Sequence, residues 1–405
     1  MKRKSWVIAA AAAVAITALA GCTTPGASGE SDEGPIKVGV ILPMTGPLAI
    51  LGGPGSAAMG LMADKINAEG GIDGRQVELT IKDDTTDVTQ SVTEYNQLAA
   101  SGEYDVIVSS TFVSASAAIS ESAIAAQIPT LSLGPVSAYG DGSNEWIFVV
   151  PATAEVYGQA MIEYFSEIGI ETLAVGYTGG DLFGTGGSEA TLQYAEEAGI
   201  EIVLNEPFDQ GATDFTPLIT KALETNADAF IVWGAGAPPA IITGQFAAMG
   251  AGSGMELYMT GAQASTLYTG PLGGAAEGIV LSSNLAVAGA DLPAGALKTE
   301  IDEFAALWAD SDAAAEYPYP PQFAFEGAAA LQLIKAAIEA AGSTDHAAVR
   351  DALEGLDLLT VVGRKAFSPT DHVGTTTAGL AIVQIQDGQF VATEYSLERF
   401  EELTD

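Results

Sequence analysis

Seven residues, IKVGVIL at 36–42, set the terms for the rest of the chain. They are apolar and rich in β-branched side chains, with Pro35 before them and Pro43 after. Such a run reads as a strand buried in a parallel sheet. Residues 43–55 hold three Pro and four Gly, so the strand must end there and the chain must turn. Residues 57–68 then show helical spacing, with Leu61, Met62, Lys65 and Ile66 divided between an apolar and a polar face. Gly70-Gly71 stops that helix, and residues 76–82 alternate apolar and polar as a second strand. The unit is one right-handed βαβ crossover. Ligands of sheets built this way sit beyond the carboxyl ends of the strands, so residues 43–51 are expected to line a cleft.

The alternation continues. Strands are read at 106–108, 130–133 and 146–150, with helices at 87–101 and 115–126, and Pro151 marks a crossing into a second series. That series has strands at 172–177, 200–205, 229–233 and 257–260, and helices at 155–168, 188–198, 215–225 and 239–249. Two such series predict an α/β chain of two doubly wound, Rossmann-like lobes. A strand at 278–284 precedes helices at 294–308, 322–341 and 345–354, and the tail reads as strands with a hairpin turn at Asp387-Gly388.

The first residues read as targeting rather than fold. Lys2, Arg3 and Lys4 form a basic start, and residues 6–20 are a small-residue apolar run, short for a transmembrane helix, which needs about 20 residues. The run ends Leu19-Ala20-Gly21-Cys22, which resembles a bacterial lipobox, and Cys22 is the sole cysteine, so no internal disulfide is available. The expectation is a lipoprotein signal peptide at 1–21, lipid on Cys22, and a Thr/Gly/Ser/Glu-rich tether at 22–35. The alternative is an ordinary secretory signal with a chance cysteine.

Charge narrows the partners. The 405 residues carry 14 Lys and Arg against 52 Asp and Glu, a formal charge of −38. Nucleic acid is excluded, because phosphate binding needs clustered cations. Solubility is the plain consequence of so many acids.

IKVGVILPMTGP at 36–47, DKINAEGGIDGRQVEL at 64–79 and KDDTTD at 82–87, in that order and spacing, resemble the amino-terminal signature of the solute-binding proteins of branched-chain amino acid ABC transporters. AAEGIVLSS at 275–283 adds to the likeness. The resemblance implies the type I periplasmic binding fold, whose lobes are joined by a hinge of three crossovers. It would place 36–150 and 284–362 in the first lobe and 151–283 and 363–405 in the second, with the crossings near Pro151, at 281–284 and at 362–365.

His346 and His372, the two histidines, both read as solvated surface residues. No G-x-S-x-G elbow and no Walker A sequence occur, and no cysteine lies in the folded part. Asp83, Asp84 and Asp87 lack EF-hand spacing and read as a solvated strand end with a helix cap. No catalytic residue, metal or cofactor is expected.

The cleft residues chosen from strand-end loops are Leu51, Phe112, Val113, Ser114, Ser132, Val136 and Ser137 in the first lobe. In the second they are Asp181, Phe183, Trp233, Gly236 and Gln263, with Tyr319 and Phe323 opening a later helix nearby. For Trp233, core and cleft are equally served by its place at a strand end. Amino-acid binders of the resembled family fix the α-carboxylate with a Ser and a Thr in the first lobe and the ammonium partly with an acid in the last second-lobe loop. Those positions fall here on Val113 or Ser114, on Val136 or Ser137, and on residues 260–263, which hold no carboxylate; an expected aromatic falls on Gly236. These departures lean toward a less polar or aromatic solute.

The resemblance therefore implies a monomeric, lipid-anchored, extracytoplasmic solute-binding subunit of an ABC importer, not an enzyme. It would capture an amino acid, amide or aromatic acid and dock on the permease subunits. Two alternatives stand beside it. One is a sensing module working through a separate receptor, since no signalling segment precedes Asp405. The other is an α/β hydrolase.

Overall fold

The computed structural model describes residues 34–249 and 254–400. The expected signal peptide, Cys22 and nearly all of the tether lie outside the described residues.

The first lobe opens with β1 (Ile36–Leu42), α1 (Ala49–Ala68), β2 (Val77–Asp83), α2 (Val88–Ser101) and β3 (Val106–Ser109), continues through α3 (Val113–Ala118) and α4 (Ser120–Ala126), and ends with β4 (Thr130–Ser132) and β5 (Ile147–Val149). Its five strands are parallel in the order β2-β1-β3-β4-β5. The second lobe runs α5 (Ala154–Glu167), β6 (Thr172–Thr178), α6 (Leu182–Ala198), β7 (Glu201–Phe208), α7 (Thr216–Thr225), β8 (Ala229–Trp233), α8 (Ala237–Met249), β9 (Glu256–Thr260), α9 (Thr266–Leu272) and β10 (Val280–Asn284). Strands β7-β6-β8-β9-β10 repeat the order of the first sheet. Both sheets thus reverse direction of winding beside their first strand, which is where doubly wound sheets open a crevice.

After β10 come α10 (Ala296–Ala309), α11 (Gln322–Ala341), α12 (His346–Glu354) and the hairpin β11 (Asp357–Thr360) and β12 (Gly363–Ala366). Helix α11 packs along α1, so this segment belongs with the first lobe. The tail, β13 (Leu380–Gln386), β14 (Gln389–Ala392) and α13 (Glu394–Phe400), adds two antiparallel strands to the edge of the second sheet. Asp387 and Gly388 turn between them with positive φ, as their sequence foretells.

Helix α1 begins at Ala49, well before the expected residue 57, and runs through Pro54. The glycines there serve close packing rather than turning. A Cβ on Gly327 of α11 would stand 2.6 Å from the Gly55 carbonyl, and one on Gly52 would stand 2.4 Å from the Pro43 carbonyl. Bare backbone lets α1 lie flat on α11, and the contact buries Ala58, Met59 and Met62 against Ala328, Leu331 and their neighbours. Each fully buried aliphatic side chain of such a core contributes roughly 1.5–3 kcal/mol. The expected single helix at 115–126 is broken at Ile119 into α3 and α4.

Two other expectations are corrected. His372 is buried, not solvated: its ring stacks on Phe148 with centroids 4.2 Å apart and its Nδ1 lies 2.8 Å from the Ile147 carbonyl. His346 is half-buried, its Nε2 3.1 Å from the Tyr104 carbonyl. His372 also contributes a backbone contact. Val149 N donates to the His372 carbonyl at 2.8 Å, which keeps residues 368–374 on the edge of the first sheet. The next strand of the second sheet, β13, begins at Leu380.

Candidate functional site

The loops after β1, β3 and β4 face the loops after β6, β8 and β9, and between them lies a cavity with about 490 Å³ of space, part of it open to solvent. The first lobe walls it with Leu48 and Leu51 from the start of α1, Thr111, Phe112 and Val113 after β3, and Leu133 and Pro135 after β4. The second lobe supplies Asp181 and Phe183 after β6, Ala235 after β8 and Ala262 after β9. Pro151 and Tyr157, beside the first crossover, and Gln322, Phe323 and Glu326 of α11 complete it. The walls are mostly apolar with a few polar groups, the usual make-up of a small-molecule site.

The lobes touch at the rim. Ser114 Oγ donates to Asp181 Oδ1 at 3.0 Å and accepts from Leu182 N at 3.2 Å. The other oxygen of Asp181 caps α6, accepting from Phe183 N and Gly184 N at 3.2 and 3.3 Å. Burial raises the Asp181 carboxyl above its ordinary range, while the amides of α6 and Ser114 pull it partly back. Phe183, set by this cap, meets Trp233 edge to face at 5.5 Å.

Beneath the cavity, Gln322 joins several parts of the chain. Its Oε1 accepts from Ser283 Oγ at 2.9 Å and from Asn284 N at 3.3 Å, both at the second crossover. Its Nε2 donates to Tyr157 Oη at 3.0 Å, and its backbone N donates to the Ala264 carbonyl at 3.2 Å. Gly261 must be glycine for this, since a Cβ there would stand 2.2 Å from Gln322 Oε1. One turn further along α11, Glu326 is buried and its Oε1 has no hydrogen-bond partner among the described residues. Burial pushes its carboxyl up to about 8, with Gln322 and Lys365 acting in the opposite sense. Thr111 Oγ1 is likewise buried and without a partner among the described residues.

Of the residues expected in a cleft, Leu51, Phe112, Val113, Asp181, Phe183 and Phe323 line the cavity. Ser114 stands at its rim, and Gly236 approaches the Pro47 carbonyl from the opposite lobe. The others lie elsewhere. Ser132 Oγ donates to the Gly134 carbonyl inside the first lobe, Val136 is in the core, and Ser137 is exposed. Trp233 is core: it is fully buried behind Phe183, its Nε1 donating to Thr191 Oγ1 at 3.0 Å. Gln263 spends its amide on the Gly234 carbonyl and its own turn. Tyr319 donates to the Ala286 carbonyl at 2.9 Å and packs on Phe325.

Sequence reasoning missed Thr111, Tyr157, Gln322 and Glu326. Glu326 left a signal, a single acid inside the apolar run QFAFEGAAAL at 322–331. A charge on the buried face of a helix is costly and calls for a reason. Asp83, Asp84 and Asp87 each accept backbone N–H bonds at the β2–α2 turn, Asp87 as the cap of α2.

Comparison with known proteins gives a consistent picture. A family model described as periplasmic binding protein matches residues 35–389. The chain is 28% identical over 370 residues to Leu/Ile/Val-binding protein homolog 3 of Brucella melitensis, covering 89% of this chain and 94% of that one. Among solved structures, an extracellular ligand-binding receptor from Rhodopseudomonas palustris superposes with a TM-score of 0.80 at 24% identity, covering 89% of this chain and 99% of that one. The branched-chain amino acid transporter substrate binding protein LivJ from Streptococcus pneumoniae, solved with isoleucine, gives 0.75 at 22% identity, with 88% and 98% covered. At these identities the structural likeness speaks for the fold.

Proposed function

The chain belongs to the periplasmic binding protein family, whose members are extracytoplasmic and bind solutes without transforming them, and from that premise we propose that it is the lipid-anchored solute-binding subunit of an ABC importer. In this reading a small organic solute, an amino acid, amide or aromatic acid, is captured between the lobes and delivered to the permease. The observation that carries it is the cavity walled by strand-end loops of both lobes, whose rims meet through Ser114 and Asp181. A guest that touches both walls only when they are together binds the closed state better and shifts the population toward it.

The division 36–150 plus 284–362 against 151–283 plus 363–405 belongs to the proposal, with the last boundary carried toward Leu380. So does the contact role of Leu51, Phe112, Val113, Asp181 and Phe183. The Leu19-Ala20-Gly21-Cys22 sequence supports cleavage before Cys22 and lipid on its thiol. The chain acts as a monomer. A sensing role through a separate receptor uses the same capture step; neighbouring genes for a permease and an ATPase would favour transport.

A thermal-shift screen of the chain against amino acids, amides and aromatic acids tests this reading. A saturating solute adds RT ln(1 + [L]/Kd), about 2.7 kcal/mol at a hundredfold excess over Kd. At least one solute should raise the melting temperature and be recovered chemically unchanged. Turnover of the solute, or indifference to the whole panel, overturns it.

A further inference from the structure

We propose that Thr86, in the turn between β2 and α2, is a positioning residue of the cleft: it does not touch the solute, and it sets the wall that Leu48 and Leu51 present to it. This deepens the solute-binding reading and rests on it.

The first observation is where the hydrogen bonds of the turn go. Leu48 and Leu51 line the cavity at the start of α1, and no residue of the turn 83–87 does. Thr86 Oγ1 donates to the Thr45 carbonyl at 3.0 Å and accepts from Leu48 N at 3.2 Å, so one hydroxyl closes the loop that leads from β1 into α1. Leu48 stands at the N-terminal boundary of α1 and has no side-chain oxygen with which to cap it. The partner that a capping box would supply from inside the helix comes here from a different strand end. Asp83 holds the same loop further back. Its Oδ1 accepts from Met44 N and Thr45 N at 2.9 and 3.2 Å, and its Oδ2 accepts from Thr45 Oγ1 at 2.6 Å. Gly46 lies against the turn so closely that a Cβ would stand 2.6 Å from the Thr85 carbonyl and 2.7 Å from Thr86 Oγ1.

The second observation is the backbone of the turn. Thr85 and Thr86 have φ of 54° and 60°, the left-handed region that β-branched residues rarely enter. The other non-glycine residues found there, Asp73, Gln127, Asn226 and Asp387, are not β-branched. Such strain persists only where the surroundings over-determine it. Here they do. Thr85 N donates to Asp83 Oδ1 at 2.8 Å and Thr86 N to Asp84 Oδ1 at 2.9 Å, and Asp84, expected at a solvated strand end, is fully buried. A turn that had only to join β2 to α2 would use Gly or Asn at these positions. Threonine at 86 adds a hydroxyl, and both bonds of that hydroxyl go to the segment that walls the cleft.

The test uses the full chain with Thr86→Val, which keeps the branched shape and removes the hydroxyl, and Thr86→Ser, which keeps the hydroxyl. Hydrogen exchange on peptides covering 43–52, with 229–233 as the reference, reads the wall without any ligand. Titration calorimetry with L-leucine, benzamide and benzoate reads binding, and thermal melting checks the fold. The expected result is that Thr86→Val exchanges at least tenfold faster over 43–52 and at the wild-type rate over 229–233. It also binds the probe that the wild type binds at least tenfold more weakly, while Thr86→Ser stays within threefold of wild type in both measurements. Unchanged exchange over 43–52 in Thr86→Val, or affinity within twofold of wild type, overturns the proposal and leaves solute binding intact. Exchange that rises equally in both regions, or equal losses in Thr86→Val and Thr86→Ser, also overturns it, since neither singles out the hydroxyl and the wall. Indifference of the wild type to every probe overturns the solute-binding reading and the proposal together.

Discussion

Ser114 and Asp181 hold the two lobes together across the mouth of the cleft: the Ser114 hydroxyl on α3 donates to the Asp181 carboxylate that caps α6, 3.0 Å away. The same hydroxyl accepts from Leu182 N, so one side chain satisfies two groups of the opposite lobe.

Replacing Ser114 with Ala should therefore open the ligand-free protein. A hydrogen bond to a charged group contributes about 1.5 kcal/mol or more, so the ratio of open to closed molecules should rise roughly tenfold. Small-angle scattering or a fluorophore pair on the two lobes reads this directly. An unchanged distribution of distances would show that the rim contact does not govern closure.

Two buried ionisable groups of the first lobe, Glu326 and Lys365, predict a pH profile of stability. Glu326 is raised from 4.5 to about 8, so the folded state holds the extra proton between those values, and stability falls as pH rises across that window. Lys365 is lowered from 10.5 to about 7 by burial, so there the unfolded state holds the extra proton, and stability rises from about pH 7 to 10.5. Glu326→Gln should abolish the fall and Lys365→Met the rise, each slope worth up to a few kcal/mol at about 1.4 kcal/mol per pKa unit. Urea melts from pH 5 to 10 decide it; parallel curves for wild type and Glu326→Gln would contradict the burial of that carboxyl.

Gly327→Ala should destabilise the first lobe by about 1–3 kcal/mol, because the added methyl falls against the Gly55 carbonyl, which the packing of α1 on α11 cannot easily move. Chemical denaturation measures the loss. A neutral result would mean that the two helices can separate without cost.

How far the fold could be read from the sequence divides along a physical line. Strands such as β1 and β8 were plain, because continuous β-branched runs have few other homes. The start of α1 was not, because glycine and proline look alike whether they turn a chain or let two helices approach, and only the partner α11 decides between them. The site shows the same division. Asp181 and Phe183 were legible from their loop, whereas Gln322 and Glu326 arrive from a helix some 140 residues away in sequence and become neighbours of that loop only when the chain returns to its first lobe. Trp233 was ambiguous at a strand end until Thr191 claimed its indole N–H.

Gly261→Ala should disturb the junction beneath the cleft. Its methyl would displace the Gln322 carboxamide from Ser283 and Asn284, leaving buried polar groups unpaired at a cost of about 1–3 kcal/mol. Weaker solute binding should accompany the loss of stability, read by calorimetry beside the melt. Full retention of both would remove Gln322 from any part in joining the lobes.

Gln322 and Glu326 sit on successive turns of one helix, the former bonded to Ser283 and Asn284 at the end of β10 and both lining the cavity. Chemical preference and mechanical stiffness are thereby soldered to a single short rod. Any lineage of this chain that drifts toward a new cargo by altering one of these positions will alter how readily the jaws swing, and a variant selected for faster release will carry an altered taste with it.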